Sequence, residues 1–298
     1  MIVRREDAEA RLRRATRTAS RSRLARLATH PWRLFYPRVL KALGRSRSAS
    51  AQTFWTGRFE AVLPESVSTH IWRYGFFEDD VCLFLLRSLE PGMVFVDVGA
   101  HFGFFTLLGS ELVGEAGRVV AVEPMPQTFA HLRRNVLLNC RFKNVSMVNT
   151  AAYSANTALT FQDYGLVDAG LNSAFGARTE TAAVRPGTTV VVTARTFDDL
   201  VAELRLPCVD VIKIDAESSE MHVLNGAESV IRRFRPRIIV EVGDFDLPGV
   251  ARSAQVVEWL NQRGYVAHEH ANGEIVRHRV RETYGYSNLL FTRKEGLS

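Results

Sequence analysis

The feature that most constrains the fold is a strand, turn and helix pattern that runs from Val94 to Thr106. A short run rich in β-branched residues ends at Asp97 and Val98, and two glycines, Gly99 and Gly103, then bracket a turn that opens into an apolar helix. Twenty residues after Gly103, a second β-branched run ends in the carboxylate of Glu123. Strands that end in this way and lead into helices are typical of a parallel sheet covered by helices.

The same alternation of strands and helices continues along the chain. It predicts an α/β fold with a Rossmann-like, mostly parallel sheet, because parallel strands need crossover connections that helices supply. The predicted strands are 94–98, 119–123, 145–149, 209–214 and 237–242, and the predicted helices are 103–113, 126–139, 219–234 and 252–263.

Further elements are predicted on either side of this pattern. Helical spacing of apolar residues over 77–89, with three acids in the first turn, indicates a helix. A small strand pair, with 58–63 in the stretch 53–70, precedes it and is broken by Pro64. The segments 159–161 and 189–193 are expected to form an inserted hairpin, and 265–269 and 287–292 an antiparallel final pair.

Charge is distributed unevenly over the 298 residues. Residues 1–50 contain 13 Arg and one Lys against three acids, a net charge of +11, so the rest of the chain carries −5. We therefore predict a basic amphipathic helical N-terminal extension over 1–50 and a domain over 51–298. With 46% hydrophobic residues the chain is expected to be soluble and globular, and its three scattered cysteines are typical of a reducing cytoplasm.

Two interpretations of the basic extension stay open. Between Trp32 and Leu43, aromatic and aliphatic residues alternate with Arg33, Arg38 and Lys41, which suits a helix lying on an anionic membrane surface. The alternative is a helix that docks on its own domain and turns its arginines to solvent. No apolar run reaches 18 residues, so no transmembrane helix is predicted. We expect a cytoplasmic protein, with peripheral membrane contact as one alternative and no nucleic-acid partner.

The glycine turn and the strand-end carboxylates together predict a site for an adenosine-containing ligand. Glycines let a ligand lie against bare backbone, and a helix N-terminus offers N–H groups to an anion. Glu123, at the end of the second strand, is placed to accept hydrogen bonds from both ribose hydroxyls. The G-x-x-x-G spacing of Gly99 and Gly103 departs from the dinucleotide fingerprint, which argues against a nicotinamide or flavin oxidoreductase.

A second acidic cluster follows the predicted strand 209–214, at the edge where α/β sheets bind their ligands. Asp215 and Glu217 lie two residues apart and reach the same crevice if the chain stays extended. Glu220 opens the next helix, where a carboxylate either stabilises the helix dipole or takes part in catalysis. Three further polar residues flank this cluster: Lys213, His222 and Glu241.

Four segments, in this order, resemble the FkbM-type S-adenosylmethionine-dependent methyltransferases. They are Asp97-Val-Gly99-Ala-His101-Phe-Gly103, Val122-Glu123-Pro124, Asn144-Val145 to Ala152, and Ile212-Lys213-Ile-Asp215-Ala-Glu217-Ser-Ser-Glu220. The resemblance covers more than half of the chain. It implies a class I methyltransferase fold, whose mostly parallel seven-stranded sheet has an antiparallel edge strand. It also implies methyl transfer to a hydroxyl, usually on a sugar, a glycolipid or a natural product.

The resemblance implies that S-adenosyl-L-methionine is the cofactor. Asp97 is expected to bind the methionine ammonium, Glu123 the ribose hydroxyls, and main-chain groups at 149–151 the adenine edge. The expected cofactor-binding residues are Asp97, Gly99, Ala100, His101, Gly103, Glu123, Asn149, Ala151 and Asp215.

One position departs from the family pattern Asp-x-Glu-Gly-x-Glu, because Ser218 stands where the family usually has glycine. If that position needs a left-handed backbone, the serine costs on the order of 1–2 kcal/mol. The alternative is that Ser218 caps the following helix.

We expect Asp215, Glu217 and Glu220 to form the catalytic group. In the favoured, metal-free hypothesis, Asp215 or Glu217 takes the proton of the acceptor hydroxyl while the methyl group is transferred. Alternatively, Asp215, Glu217 and Glu241 hold Mg²⁺, which would acidify the hydroxyl. The acceptor is expected at the inserted stretch 163–185, which carries Tyr164, Asp168, Asn172, Ser173 and Arg178.

Two other functions stay open on the sequence alone. A nucleic-acid methyltransferase would use the basic extension, although the chain lacks the Asn/Asp-Pro-Pro-aromatic signature that presents a base amine. A non-catalytic scaffold that binds the cofactor rests on Ser218 alone.

Overall fold

The computed structural model describes residues 4–21, 31–175, 187–244 and 247–294. The helices in these ranges are α1 (Arg5–Ala19), α2 (Pro31–Ala42), α3 (Ser66–Tyr74), α4 (Asp79–Ser88), α5 (Phe104–Val113), α6 (Pro126–Asn139), α7 (Phe197–Glu203), α8 (Glu220–Asn225), α9 (Glu228–Phe234) and α10 (Ser253–Gln262). The strands are β1 (Arg47–Gln52), β2 (Arg58–Leu63), β3 (Val94–Val98), β4 (Arg118–Val122), β5 (Val145–Val148), β6 (Ala151–Tyr153), β7 (Thr157–Asp163), β8 (Thr188–Thr196), β9 (Val211–Ile214), β10 (Arg237–Val242), β11 (Tyr265–Ala271), β12 (Glu274–Arg277) and β13 (Ser287–Arg293).

An eight-stranded sheet forms the centre of the molecule, in the order β12-β11-β13-β10-β9-β3-β4-β5. The five strands from β10 to β5 are parallel, and Val96 of β3 lies between Val120 of β4 and Ile212 of β9. Strand β13 is antiparallel to both of its neighbours, β10 and β11. The predicted α/β fold with a mostly parallel sheet is confirmed.

The sheet has one strand more than the seven that were expected. After β11 the chain reverses at Asn272 and Gly273, which have φ of +54° and +85°, and returns as the antiparallel edge strand β12. Two consecutive residues with positive φ are the backbone of a tight hairpin turn, and an Asn-Gly pair adopts it readily. Antiparallel strands therefore occur both at this edge and inside the sheet, where β13 lies.

The predicted strands and helices begin and end within two residues of the observed ones, with two exceptions. The predicted strand 189–193 continues to Thr196 in β8. The predicted helix 219–234 is two helices, α8 and α9, which are separated by Gly226 and Ala227. The second helix has its own cap, because the Asp198 carboxylate accepts hydrogen bonds from the N–H groups of Ser229 and Val230 at 3.0 and 2.9 Å. Capping of a new helix N-terminus by Asp198 explains the break.

A smaller sheet, β6-β8-β7, stands beside the central one. Strands β7 and β8 form the predicted inserted hairpin, and β6 pairs in parallel with β8. A 3-10 helix, Leu166–Leu171, follows β7. This sheet places the insertion next to the carboxyl ends of the central strands, where the candidate site lies.

The N-terminal helices pack on the domain in different ways. Helix α1 buries Ala8 and Leu12 in the core, and Arg87 of α4 forms ion pairs with both Glu9 and Glu274, at 3.2 and 3.1 Å. Helix α2 packs on α3 and leaves most of its apolar residues exposed. Strand β1, which pairs with β2, crosses the predicted boundary at residue 50. No helix in the described ranges has the length and apolar character that crossing a membrane requires.

Candidate active site

The carboxyl ends of β3, β4, β9 and β10 open into a pocket of about 500 Å³. Its walls are mostly apolar and come from α3, α5, β6, β7 and the 3-10 helix, a composition and size typical of small-molecule sites. The charged and polar residues that line it are Ser66, His101, Glu123, Tyr153, Asp168, Asn172, Lys213, Asp215, Glu217, Ser219, Glu241 and Tyr286.

The turn after β3 lies against the end of β9. Gly99 has φ of +73°, and a Cβ at this residue would lie 1.7 Å from the carbonyl oxygen of Asp215. The N–H groups of Gly99 and Ala100 both donate to the carbonyl of Val122, each at 3.0 Å. Packing between strand ends thus requires glycine here, and Gly99, Ala100 and His101 also line the pocket.

Glu123 is a buried carboxylate on the pocket wall. Its Oε1 accepts a hydrogen bond from the N–H of Met125 and its Oε2 from the N–H of His101, both at 3.0 Å. Burial raises the pKa of Glu123 to about 7, although these two hydrogen bonds lower it. Each carboxylate oxygen keeps further capacity to accept a hydrogen bond from a ligand.

Asp97 lies fully buried beneath the turn. Its Oδ2 accepts a hydrogen bond from the hydroxyl of Thr106 at 2.6 Å, while its Oδ1 has no hydrogen-bond partner among the described residues. Burial raises the pKa of Asp97, and the charge of Lys213 partly offsets that effect. A buried carboxylate oxygen without a donor costs free energy, so a donor supplied by a ligand would stabilise it.

Lys213 joins the carboxylates of two neighbouring strand ends. Its Nζ lies 3.0 Å from Oδ2 of Asp215 and 3.8 Å from Oδ1 of Asp97, and 5.1 Å from the ring centre of Phe105. Burial alone would lower the pKa of Lys213, but Asp215, Asp97 and Glu78 together raise it above its ordinary value. The lysine is therefore charged and offsets the negative charge at this end of the pocket.

The turn between β9 and α8 has a left-handed backbone at two consecutive residues, with φ of +47° at Glu217 and +78° at Ser218. Oε1 of Glu220 accepts hydrogen bonds from the N–H groups of Ala216 and Ser218, at 3.1 and 3.2 Å. The N-cap of α8 is Ser219, so the capping hypothesis for Ser218 is wrong and the strained backbone is observed. Glu220 thus supports the turn, while Asp215 and Glu217 line the pocket.

The insertion brings the predicted acceptor region to the acidic cluster. Asp168 and Asn172 line the pocket, and the hydroxyl of Ser173 donates to the backbone carbonyl of Glu217 at 2.8 Å. The Asn172 side chain also accepts a hydrogen bond from the N–H of Tyr164 at 2.8 Å, which shapes the loop. Of this region, residues 176–186, which include Arg178, lie outside the described residues.

Three other predicted residues have different surroundings. Ala151 lines the pocket. The Asn149 side chain donates to the carbonyls of Glu123 and Pro124, at 2.8 and 2.9 Å, and so fixes the end of β4. A Cβ at Gly103 would lie 2.6 Å from Cδ1 of Leu132, so this glycine makes room for α6.

His222 has a structural environment. Its ring stacks on Tyr153, with 4.2 Å between ring centres, and its nitrogens lie at hydrogen-bond distance from the hydroxyls of Ser154 and Tyr153. Burial lowers the pKa of His222, so the ring is neutral at neutral pH.

Sequence reasoning missed the pair formed by Glu78 and Tyr286. Glu78 immediately precedes α4, has φ of +42°, and accepts a hydrogen bond from the hydroxyl of Tyr286, which lines the pocket. Burial and the charge of Asp215 raise the pKa of Glu78 to about 7. Burial, with Glu241 and Glu78 nearby, also raises the pKa of Tyr286. The one signal in the sequence was the acidic run at residues 78–80.

The residues present do not form a ready site for Mg²⁺. Within the described ranges, no three His, Cys, Asp or Glu side chains are grouped so that they could hold a metal ion. Asp215, a proposed ligand in that hypothesis, is paired with Lys213 instead.

Comparison with known proteins identifies the family. A family model described as "Methyltransferase FkbM domain" matches residues 97–267, more than half of the chain. The chain belongs to the FkbM methyltransferase family. The match begins at Asp97 and includes the strand ends that carry Glu123, Lys213, Asp215 and Glu217.

Individual relatives of this FkbM-family chain are distant. It is 28% identical over 201 residues to a 31-O-demethyl-FK506 methyltransferase from Streptomyces tacrolimicus, covering 60% of this chain and 74% of that protein. It is 39% identical over 72 residues to a protein-L-isoaspartate O-methyltransferase from Methanothrix thermoacetophila, covering 23% of this chain and 34% of that protein. The crystal structure of an FkbM methyltransferase from Methylobacillus flagellatus aligns with a TM-score of 0.42 and 16% identity, covering 77% of this chain and 55% of that one.

Proposed function

We propose that this chain is an S-adenosylmethionine-dependent O-methyltransferase whose acceptor is a hydroxyl of a sugar, a glycolipid or a natural product. Family membership supports methyl transfer, and the name of the Streptomyces relative refers to a 31-O-demethyl natural product. The observation that carries the proposal is the ion pair of Lys213 and Asp215, which lines an apolar pocket together with Glu123 and has the Asp97 carboxylate buried behind it.

The residues of the pocket fit S-adenosylmethionine. Oδ1 of Asp97, which has no hydrogen bond in the described chain and lies 3.8 Å from Lys213 behind the pocket wall, would accept a hydrogen bond from a cationic amino group directly or through water. The Glu123 carboxylate would hold the ribose hydroxyls. Apolar residues such as Ala151 would lie against the adenine. When bound, this cofactor supplies a methyl group on a sulfonium, which is a strong electrophile.

The task of the protein is then to hold the acceptor hydroxyl and receive its proton. Asp215 lines the pocket at hydrogen-bond distance from Lys213, so its carboxylate is held in a fixed position. A proton moved from the hydroxyl to Asp215, or to Glu217 beside it, would raise the nucleophilicity of the oxygen as the bond forms. Orientation within a water-poor pocket contributes up to about 7–11 kcal/mol in favourable reactions.

The cofactor part of the proposal is tested by calorimetric titration with S-adenosylhomocysteine between pH 5.5 and 8. The raised pKa of Glu123 keeps this side chain protonated in the free protein below about pH 7. Ribose hydroxyls that donate hydrogen bonds favour the ionised form, so the dissociation constant should rise by up to about ten-fold for each pH unit below 7. Glu123→Gln, which has the same shape, should bind at least about ten-fold more weakly and without this pH dependence. No binding by folded wild-type protein would contradict the proposal.

The catalytic part is tested with tritiated S-adenosylmethionine and a panel of sugars, glycolipids and hydroxylated natural products. Asp215→Asn should abolish transfer and leave the affinity for S-adenosylhomocysteine within a few fold, whereas Glu258→Gln on the surface of α10 should change neither. Loss of transfer in Glu217→Gln alone would assign the proton transfer to Glu217. A large loss of cofactor affinity in Asp215→Asn would instead move Asp215 into the cofactor site.

A further inference from the structure

Helix α2 carries a row of exposed apolar side chains. Trp32, Phe35, Tyr36, Val39 and, just past its end, Leu43 are spaced at intervals of one, three or four residues, which places them on one face of a helix. Each is between 40% and 62% exposed, and these five are nearly half of the eleven large exposed hydrophobic residues in the described chain. We refer to this row as the α2 face. A clustered row of this kind marks an interaction surface, whereas scattered exposed residues do not.

The opposite side of α2 is fixed to the domain, so the orientation of the α2 face is set. Leu40 is buried, and Arg33 donates a hydrogen bond to the carbonyl of Trp72 at 3.1 Å. Arg73 donates in return to the carbonyl of Arg33 at 2.9 Å. At the edge of the α2 face, the ring centres of Trp32 and Tyr36 lie 5.0 and 6.3 Å from that of Trp72. These contacts join α2 to α3, while Phe35, Val39 and Leu43 are more than half exposed.

Positive charge surrounds this face. Between Glu9 and Glu60 the sequence contains thirteen arginines and lysines and no acidic residue. Arg38, Lys41, Arg45 and Arg47 are exposed next to the row, and within the described ranges none of them forms an ion pair with a carboxylate. A surface that combines aromatic and aliphatic side chains with a basic rim is complementary to anionic lipid.

We propose that the α2 face binds the surface of an anionic lipid bilayer, with its apolar side chains among the acyl chains and its basic rim at the headgroups. Trp32 and Tyr36 suit this depth, because their rings are apolar and carry a polar group that stays in the hydrated interface. A nucleic acid would explain only the basic rim, since the exposed aliphatic side chains of Val39 and Leu43 find no apolar partner on it. Helix α3, on which α2 is seated, also contributes Val67 and Ile71 to the pocket wall. Helices α2 and α3 would therefore lie between the bound membrane and that wall, a separation of about two helix diameters, or roughly 20 Å.

The test is sedimentation of the full chain with vesicles of phosphatidylcholine alone or with about one third phosphatidylserine, at about 0.1 M salt. The wild-type chain should sediment with the anionic vesicles only. Phe35→Ser/Val39→Ser/Leu43→Ser should weaken this binding at least about ten-fold, and so should Arg38→Gln/Lys41→Gln/Arg45→Gln. The matched control, Leu137→Ser/Leu138→Ser/Val191→Ser, removes three equally exposed apolar residues elsewhere and should bind like the wild type.

Several outcomes would overturn the proposal. Wild-type protein that binds neither vesicle, or serine variants that bind anionic vesicles as well as wild type, would remove the lipid role of the α2 face. If the wild-type chain bound a single-stranded RNA as tightly as the anionic vesicles, and only the glutamine variant lost that binding, the basic rim would be assigned to nucleic acid. A wild-type dimer by ultracentrifugation that the serine variant abolishes, without vesicle binding, would assign the face to a second copy of the chain. Circular dichroism of every variant shows whether it is folded, and titration with S-adenosylhomocysteine shows whether the proposed cofactor site is intact. A loss of vesicle binding is thereby distinguished from a folding defect and from failure of the cofactor site.

Discussion

At the scale of single residues, Ser218 has a backbone conformation that is unfavourable for a serine and that hydrogen bonds with its neighbours impose. Its backbone is left-handed, its side chain is buried, and its N–H is held by the Glu220 carboxylate. A side chain with a Cβ in this conformation costs on the order of 1–2 kcal/mol. The turn that presents Asp215 and Glu217 to the pocket therefore persists because its N–H groups donate to the Glu220 carboxylate and its Glu217 carbonyl accepts from the Ser173 hydroxyl.

Replacement of this serine measures the cost directly. Ser218→Gly should raise the free energy of unfolding by about 0.5–1 kcal/mol, since relief of strain exceeds the entropy that glycine adds to the unfolded chain. Ser218→Ala removes the hydroxyl and keeps the strain, so it should not stabilise the protein. Urea denaturation monitored by circular dichroism distinguishes the two. Equal stabilisation by both variants would show that the hydroxyl, and not the backbone, carries the cost.

Individual residues also show where prediction from sequence stops. The glycine at 99 and the carboxylate at 123 were found because strand ends and turns have local signatures. Gly99 has a second reason that the sequence does not show, because its missing side chain makes room for the Asp215 carbonyl, 116 positions further along. Glu78 and Tyr286 meet across 208 positions of sequence, and no periodic pattern connects them.

At the scale of elements, the junction between α8 and α9 depends on a close backbone contact. A Cβ at Gly226 would lie 2.0 Å from the carbonyl oxygen of Tyr153 in β6, although the φ of this residue is an ordinary −76°. Gly226→Ala should therefore lower the free energy of unfolding by about 1–3 kcal/mol through overpacking. Gly285→Ala, where nothing lies within 4 Å of the added Cβ, is the control and should have little effect. Thermal unfolding of the two variants provides the comparison, and similar melting temperatures would contradict the packing argument.

Most elements could be predicted from the sequence because the parallel strands at the centre of the sheet are short runs rich in β-branched residues between turn residues. Val94 to Val98 is such a run, and all five of its residues are buried. The edge strand β12 has only four residues, too few for a hydrophobic pattern that would predict a strand. It forms because the turn at Asn272 and Gly273 folds it back on β11. The break between α8 and α9 depends on Asp198, which no local pattern relates to that helix.

At the scale of the whole molecule, α1 ties distant parts of the chain together. Its residue Leu12 is buried in the same core as α4, and Glu9 and Arg13 approach Arg87 and Glu274. Leu12→Ala should lower the free energy of unfolding of the entire domain by about 2–5 kcal/mol in one cooperative transition. Arg11→Ala, at an exposed position on the same helix, should leave it unchanged. If residues 1–50 instead fold as a separate unit, as the charge pattern predicts, both variants should leave the unfolding transition of the domain over 51–298 unchanged.

The position of β13 has a consequence for how the chain is made. A ribosome delivers β10, β11 and β12 before β13, yet β13 is the strand that joins β10 to β11. Until β13 has been synthesised, the β11–β12 hairpin has no strand through which it can join the central sheet. The edge of β10 is unpaired during this time and can form hydrogen bonds with strands of other chains. Chaperones that cover strand edges should therefore contribute most to correct folding of this protein while β11, β12 and β13 are being synthesised.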